Sequence, residues 1–153
     1  MPESAHLETT LLLIKPDAVA AHHCGAILHR IEDAGFVVTG LELRQVSRAT
    51  AEGFYSIHRG KEFFSGLVDF IVSGPLVAVR IEGPDVRRRL REFVGATDPA
   101  RAAAGTIRAD FGTTIRRNAV HASNPEEDVE KELEFFFPGT NTQPAGSACP
   151  SEV

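Results

Sequence analysis

The chain has 153 residues, 42% of them hydrophobic and 24% charged, which is enough for one domain with a substantial core but too few for two ordinary domains. Its formal net charge of -5 argues against general binding of nucleic acid or anionic membranes, because such binding depends on a basic surface. The polar start of the chain lacks the apolar core of a signal peptide, and no apolar run approaches the ~20 residues of a membrane span, so we expect a cytoplasmic protein.

The two cysteines predict neither a disulfide framework nor a zinc site. Cys24 falls in a probable helix and Cys149 in a polar tail, and no other ligand stands at zinc spacing. Both cysteines are therefore expected to be reduced, as in the cytoplasm.

The apolar pattern divides the chain into a flexible leader over 1–8, a domain over 9–137 and a flexible, Pro- and Gly-rich tail over 138–153. The first strand, TTLLLI, is expected to be buried on both faces. We predict strands over 9–14, 36–46, 76–81 and directly before His121.

Helical spacing of apolar residues alternates with these strands. A loop is expected over 95–105, followed by a short turn or helix over 111–115. We predict helices over 18–34, 47–58, 62–73 and 83–94, and a final one that begins at 124–126 and continues to Phe137.

The resulting order, β-α-β-α-α-β-α-loop-β-α, predicts an α+β sandwich of ferredoxin-like type with a four-stranded antiparallel sheet covered by helices. The usual glycine-rich phosphate loops are absent from the sequence. Gly60-Lys61 is followed by Glu62 rather than Ser or Thr, and no G-x-G-x-x-G occurs.

His121 and three arginines that precede it form a candidate site for phosphate chemistry. His121 ends a probable strand, and Arg108, Arg116 and Arg117 precede it. A neutral imidazole is a good nucleophile near pH 7, and guanidinium groups bind phosphate oxygens in pairs, so this segment suits phosphoryl chemistry. Taken alone, it fits a structural histidine with solvated arginines better. Strand alternation would also point His121 and Asn118 to opposite sides unless the backbone twists.

Lys15 directly follows the buried first strand. A buried ammonium group needs a polar partner, whereas a lysine at a strand end can also extend into water. Local sequence leaves these two interpretations equally open.

Six segments between about Thr9 and Phe137 occur in a specific order and spacing. They are LIKPDAV at 13–19, FF followed by GLV within 63–68, SGP at 73–75, GATDP at 95–99, GTIRADF at 105–111 and RNAVHAS at 117–123. Together they resemble the nucleoside diphosphate kinase family. The resemblance implies transfer of the γ-phosphate of ATP to nucleoside diphosphates by a ping-pong mechanism through a phosphohistidine.

The resemblance assigns roles to residues of this chain. His121 is similar to the phosphate-accepting nucleophile. The residues similar to those that contact the nucleotide phosphates are Lys15, Arg91, Thr97 and Arg108.

Other positions resemble those that hold the sugar, the base and the histidine ring. Asn118 is similar to the residue that bonds the ribose 3′-hydroxyl, and Phe63 to the aromatic that stacks on the base. The supporting positions are Tyr55 and His58 near the nucleotide, and Ser123 and Glu132 beside the histidine. Without the resemblance, Phe63 would be read as a core residue and Glu132 as a surface acid.

The resemblance also implies a substrate, a metal and an assembly. ATP and other nucleoside di- and triphosphates would bring Mg²⁺ with them, without a metal site in the protein itself. We expect a homo-oligomer, either a tetramer or a hexamer, with no membrane and no specific nucleic acid as partner.

The sequence departs from the family pattern at three places. Asn124 stands where Asp is usual, Glu62 where Pro is common, and Ala21-His22 where Arg-Gly is common. Because Asn124 flanks the histidine, a catalytically weak nucleotide-binding or scaffold protein of the same fold is the alternative hypothesis. A ferredoxin-like nucleic-acid binder is disfavoured by the negative charge.

Overall fold

Four antiparallel strands form the sheet around which the chain folds, in the order β2-β3-β1-β4. The computed structural model describes residues 7–139. The strands are β1 Leu7–Ile14, β2 Val37–Arg44, β3 Leu76–Pro84 and β4 Val120–Ala122. The predicted α+β, ferredoxin-like arrangement with a four-stranded antiparallel sheet is confirmed.

Strand β1 carries the core of both faces of the sheet. The run Leu11–Ile14 has no solvent exposure, because successive side chains point to opposite faces and helices cover both. Leu12 and Ile14 pack with residues of one helical layer, including Ile27 and Leu90. Leu11 and Leu13 pack into the opposite cluster with residues such as Val68, Leu133 and Phe136.

The two helical layers are built from seven α-helices within residues 7–139. They are α1 Pro16–Ala20, α2 Cys24–Asp33, α3 Arg48–Phe54, α4 Phe64–Ile71, α5 Val86–Val94, α6 Ile107–Phe111 and α7 Val129–Phe136. Short 3-10 turns occur at Ser56–His58 and Pro99–Arg101. Among the described residues, no helix is both long enough and apolar enough to cross a membrane.

The single helix predicted over 18–34 is wrong, because the chain breaks into α1 and α2. His22 adopts the left-handed conformation with φ of 65°. The amide of His22 donates to Val19 O, and that of His23 donates to Ala18 O, which completes the capping pattern usual for a helix end. Glycine is the usual residue at such a helix end, and this chain has histidine at position 22, so nothing in the sequence indicated the break.

Other helix bounds also differ from the prediction. The helix predicted from residue 83 begins at Val86, because β3 continues to Pro84. Helix α6 precedes the turn expected over 111–115, because the Thr106 side chain accepts a hydrogen bond from the Ala109 amide and starts the helix early. Helix α7 begins at Val129 rather than at 124–126. The Asp128 carboxylate caps α7 by accepting from the Lys131 amide, while Asn124 caps a separate turn.

The ends of the domain are only partly within the described residues. Strand β1 begins at Leu7, so Leu7 and Glu8 belong to the sheet rather than to the leader. Residues 1–6 and 140–153, which include Cys149 and most of the predicted tail, lie outside the described part of the chain. The division into leader, domain and tail stays a prediction.

Candidate active site

A cavity of about 640 Å³ opens between the end of β1, strand β4 and helices α4, α5 and α7. It gathers every residue that the sequence assigned to the nucleotide or to the histidine, apart from Ser123. Those that line it are Lys15, Tyr55, His58, Phe63, Arg91, Thr97, Arg108, Asn118, His121 and Glu132. Ser123 has no exposure and lies behind the wall.

Lys15 is buried with partners, which decides between the two interpretations left open by its sequence position. Its Nζ donates to Asn118 Oδ1 at 2.8 Å and to Arg116 O at 2.7 Å, and the residue is only 5% exposed. Burial lowers the pKa of Lys15 to about 8, aided by the charges of Arg108 and Arg116 and opposed by that of Asp17.

A tight turn at Ala119 brings Asn118 and His121 into the same cavity. Ala119 has φ of 73°, and the Val120 amide donates to Asn118 O at 2.9 Å, which is the hydrogen bond of a γ-turn. The turn reverses the strand alternation expected between Asn118 and His121. The carboxylate of Asp17 fixes this turn by accepting from the Ala119 amide at 3.0 Å.

The His121 ring is held by a buried carboxylate. Its Nε2 lies 2.8 Å from Glu132 Oε1, and the Ser123 hydroxyl donates to the same oxygen at 2.8 Å. Burial favours the neutral form of Glu132, but the contacts with His121, Ser123 and Arg91 outweigh it and lower the pKa of Glu132. A carboxylate on Nε2 places the imidazole proton there and leaves the lone pair on Nδ1.

Two guanidinium groups hold the backbone on either side of His121. Arg91 Nη1 donates to Ala122 O at 3.0 Å, and Arg108 Nη2 donates to Val120 O at 2.9 Å. Burial lowers the pKa of Arg108 to about 10, and the neighbouring charge of Arg91 adds to the shift. A guanidinium with this pKa is still charged at pH 7, so both arginines carry positive charge into the cavity.

An aromatic group forms the outer end of the cavity. Phe63 precedes helix α4 and is 45% exposed, and the His58 ring meets it edge to face with centroids 5.2 Å apart. His58 in turn lies 6.3 Å from the Tyr55 ring. Burial raises the pKa of Tyr55 above its ordinary range, as does the charge of Glu132, so its hydroxyl is neutral. An exposed Phe63 face fits a stacking partner better than a core position.

Asn118 links the histidine strand to the loop that follows α5. Its Nδ2 donates to Thr97 O at 2.9 Å while its Oδ1 accepts from Lys15. The backbone of Thr97 is therefore fixed at the cavity edge. Both polar atoms of the Asn118 side chain are engaged in positioning other groups of the site.

Several residues of the site were missed by sequence reasoning. Phe54 packs edge to face against the His121 ring with centroids 5.4 Å apart, and Leu67 and Ile115 line the cavity. These are apolar residues whose function depends on where the fold places them. The role of Asp17 could have been found, because a carboxylate two residues after Lys15 is a possible partner for groups of the site. The sequence analysis interpreted Asp17 only as the start of a helix.

The departure at Asn124 preserves local structure. Asn124 Oδ1 accepts from the Glu126 amide at 3.0 Å, a turn that an aspartate would also support. Asn124 itself lines the cavity. The substitution therefore removes a negative charge beside the site without removing the turn that follows His121.

Fold and cavity together define a class of protein. A ferredoxin-like α+β domain places a carboxylate-held histidine among buried or half-buried cations, an arrangement suited to handling phosphate groups. Within residues 7–139, no three His, Cys, Asp or Glu side chains are grouped so as to hold a metal ion.

Comparison with known proteins gives the family. The model described as nucleoside diphosphate kinase matches residues 8–142. The chain is 50% identical over 135 residues to the nucleoside diphosphate kinase of Bordetella petrii, covering 88% of this chain and 96% of that one. It is 48% identical over 131 residues to nucleoside diphosphate kinase 2 of Protochlamydia amoebophila, covering 86% and 92%.

Solved structures agree. The Aquifex aeolicus nucleoside diphosphate kinase has a TM-score of 0.84 at 40% identity, over 88% of this chain and 97% of that one. The Halobacterium salinarum nucleoside diphosphate kinase, in complex with CDP, has a TM-score of 0.83 at 40% identity, over 86% and 88%. The chain belongs to the nucleoside diphosphate kinase family, and the predictions of family and of a phosphotransferase enzyme are confirmed.

The lowered pKa of Lys15 predicts how stability depends on pH. A lysine whose pKa is about 8 when folded and 10.5 when unfolded binds fewer protons in the folded state between these values. Stability therefore rises with pH across that window, by on the order of 3 kcal/mol at its upper end. Urea unfolding of the wild type and of Lys15→Met from pH 7 to 10.5 would measure this. The rise should be larger in the wild type, because the lowered pKa of Arg108 contributes equally to both proteins near pH 10. A parallel pH dependence in the two proteins would contradict the burial of a charged Lys15.

Proposed function

We propose that this enzyme transfers the γ-phosphoryl group of ATP to nucleoside diphosphates through a phosphohistidine on His121. The observation that carries the proposal is the 2.8 Å contact between His121 Nε2 and the buried carboxylate of Glu132. It supports one tautomer, in which Nδ1 holds the lone pair at the cavity. Membership of the family supports the reaction itself.

In the first half-reaction, Nδ1 of His121 attacks the γ-phosphorus of ATP in line with the leaving oxygen. The N–P bond forms as the P–O bond to ADP breaks, and ADP leaves with that electron pair. The imidazole becomes more positive during attack, and the Glu132 carboxylate stabilises this charge at Nε2. In the second half-reaction a terminal oxygen of another diphosphate attacks phosphorus and restores His121, which gives ping-pong kinetics.

The cations of the cavity would neutralise the phosphates. Lys15, Arg91 and Arg108 surround the approach to His121, and their own backbone contacts hold them in place before substrate binds. Such preorganised charge costs little reorganisation during transfer. Mg²⁺ would arrive as part of the nucleotide substrate and would neutralise part of the phosphate charge. Asn118 Nδ2 uses one N–H on Thr97 O, and its second N–H would be available to the ribose hydroxyl.

Phe63 would carry the base. An exposed aromatic face stacks on purines and pyrimidines alike, because every base has a π-face. Broad use of nucleoside diphosphates follows from this mode of binding. The related Halobacterium salinarum protein was solved in complex with CDP, which supports nucleotide binding by this chain.

We also propose that the chain forms a homo-oligomer in the cytoplasm. Strand β2 is an edge of the sheet, and its Leu41 and Leu43 are 53% and 68% exposed. An exposed edge strand with large apolar side chains is a surface that soluble proteins normally cover. Tetramer and hexamer both satisfy this requirement.

A phosphoenzyme assay tests the central proposal. Incubation with Mg²⁺ and ATP labelled at the γ-phosphate should leave acid-labile label on the protein, and added nucleoside diphosphate should remove it. We expect His121→Ala to take up no label. His29→Ala, which changes an exposed histidine of α2, should label like the wild type.

Intact binding of ATP by the wild type without label would contradict phosphoryl transfer and favour the nucleotide-binding or scaffold alternative. In that case Asn124→Asp, which restores the residue usual in the family, becomes the informative variant. Label that persists in His121→Ala would place the nucleophile elsewhere.

Glu132→Gln isolates the role of the carboxylate. Glutamine can accept the hydrogen bond from Nε2 but carries no charge, so the imidazole gains less stabilisation as it is phosphorylated. We expect phosphorylation of His121 to slow by about 10- to 100-fold with ATP affinity nearly unchanged. Rapid-quench measurement at saturating ATP gives the rate, and the exposed Glu134→Gln on the same helix is the matched control. Equal rates in both variants would exclude an electrostatic role for Glu132.

A charged substitution on edge strand β2 tests whether this edge lies in a subunit interface. Leu43→Glu should shift the protein to smaller species in sedimentation velocity, because a carboxylate buried between subunits would lack a partner. Leu7→Glu changes a leucine of similar exposure, 63%, on another strand and should leave the mass unchanged. Wild-type protein that sediments as a monomer at micromolar concentration would overturn the proposed assembly.

A further inference from the structure

One cation of the cavity has no part in the mechanism above. Arg116 lies in the loop between α6 and β4 and lines the cavity. Its backbone oxygen holds the Lys15 ammonium at 2.7 Å. That contact fixes the main chain of Arg116 beside Lys15, and the position of its side chain is a separate question.

The guanidinium of Arg116 lies over Gly66 of helix α4. A Cβ at position 66 would stand 2.7 Å from Arg116 Nη1 and 3.0 Å from its Cζ, so the group occupies space that only a glycine leaves open. Gly66 is one turn after Phe63 along α4 and one turn before Phe70, whose ring centroid is 5.2 Å from Lys15 Nζ. The guanidinium therefore lies against α4 between the sequence positions of Phe63 and Phe70.

This guanidinium has no counter-charge in the part of the chain that the structure describes. No hydrogen bond or ion pair joins it to a side chain within residues 7–139, whereas the arginines of α5 are paired or anchored on carbonyls. Its charge acts on the cavity, since it contributes to the lowered pKa of Lys15 behind the larger effect of burial. An exposed cation near Lys15 without a side-chain partner among the described residues favours an anionic occupant.

We propose that Arg116 is a further nucleotide-binding residue, whose guanidinium over Gly66 pairs with a phosphate oxygen of the bound nucleotide. The planar fork of arginine matches two phosphate oxygens, and the neighbouring Lys15 already marks this end of the cavity for negative charge. The inference rests on the proposed nucleotide site, but it concerns binding and does not require turnover.

Equilibrium binding of ATP, ADP and adenosine to Arg116→Gln is the direct test. We expect Kd for ATP to rise about 3- to 10-fold in low salt, and the difference from wild type to shrink toward 1 M salt as charges are screened. Adenosine binding should be unchanged. Arg117→Gln is the matched control, because Arg117 carries the same charge one residue away but lies over Phe70 and lines a separate cavity.

Gly66→Ala keeps the Arg116 side chain but fills the space over position 66 that its guanidinium occupies. The methyl group would displace only the end of a flexible side chain, so the helix should fold normally while Kd for ATP rises in the same direction. The double variant should bind ATP no more weakly than Arg116→Gln alone, since both changes abolish one contact. If the losses of ATP binding free energy in the two single variants added fully in the double variant, the proposed placement of the guanidinium over Gly66 would be wrong.

Two further results would overturn the proposal. One is an ATP affinity of Arg116→Gln equal to that of Arg117→Gln at low salt, and the other is an equal loss for ATP and adenosine, which would indicate a contact with the base or sugar. Labelling of His121 at saturating ATP, measured on the same variants, reports separately on phosphoryl transfer. A protein that binds ATP but takes up no label would refute that transfer and leave the test of Arg116 intact.

Discussion

The buried ammonium of Lys15 is the constraint on which the rest of the site depends. Without partners it would be too costly to desolvate, and its partners come from distant parts of the chain, Asn118 Oδ1 and Arg116 O. Asn118 in turn holds Thr97 O, so one buried charge ties the central strand to the histidine strand and to the loop after α5. Removal of the ammonium would leave the Asn118 side chain and a carbonyl without a donor, which disturbs the site well beyond one phosphate contact.

The γ-turn at Ala119 is held by the same group of contacts. A non-glycine residue with φ of 73° costs on the order of 1–3 kcal/mol, so the turn persists only where its surroundings determine it. Asp17 accepts from the Ala119 amide, and the Lys15 amide donates to Ala119 O at 2.9 Å. Both fixing groups come from the chain directly after β1. The strained turn places Asn118 and His121 in one cavity, where a regular strand would separate them.

Structural features that follow from burial of apolar residues could be predicted from the sequence. Features that depend on the backbone conformation of a single residue could not. The apolar run of β1 can be satisfied only at the centre of a covered sheet, so both its burial and the antiparallel α+β arrangement were predictable. The break at His22 was not, because histidine occupies the left-handed position where glycine is common in the family. The cavity-lining positions came from family motifs rather than from spacing. The contact between the Arg116 guanidinium and Gly66 joins the loop before β4 to helix α4, and only the fold brings these two segments together.

The cationic cavity of this acidic chain has an electrostatic cost in folding. Burial, together with the neighbouring Arg108 and Arg116, lowers the pKa of Lys15, and burial with the charge of Arg91 lowers the pKa of Arg108. Both shifts have burial as their largest cause, because removing a cation from water disfavours its charged form. A bound polyphosphate would place negative charge beside both cations, so binding would offset part of the free-energy cost of burying them. The net charge of -5 then keeps other polyanions away from the surface, while the local field of the cavity accepts a small one.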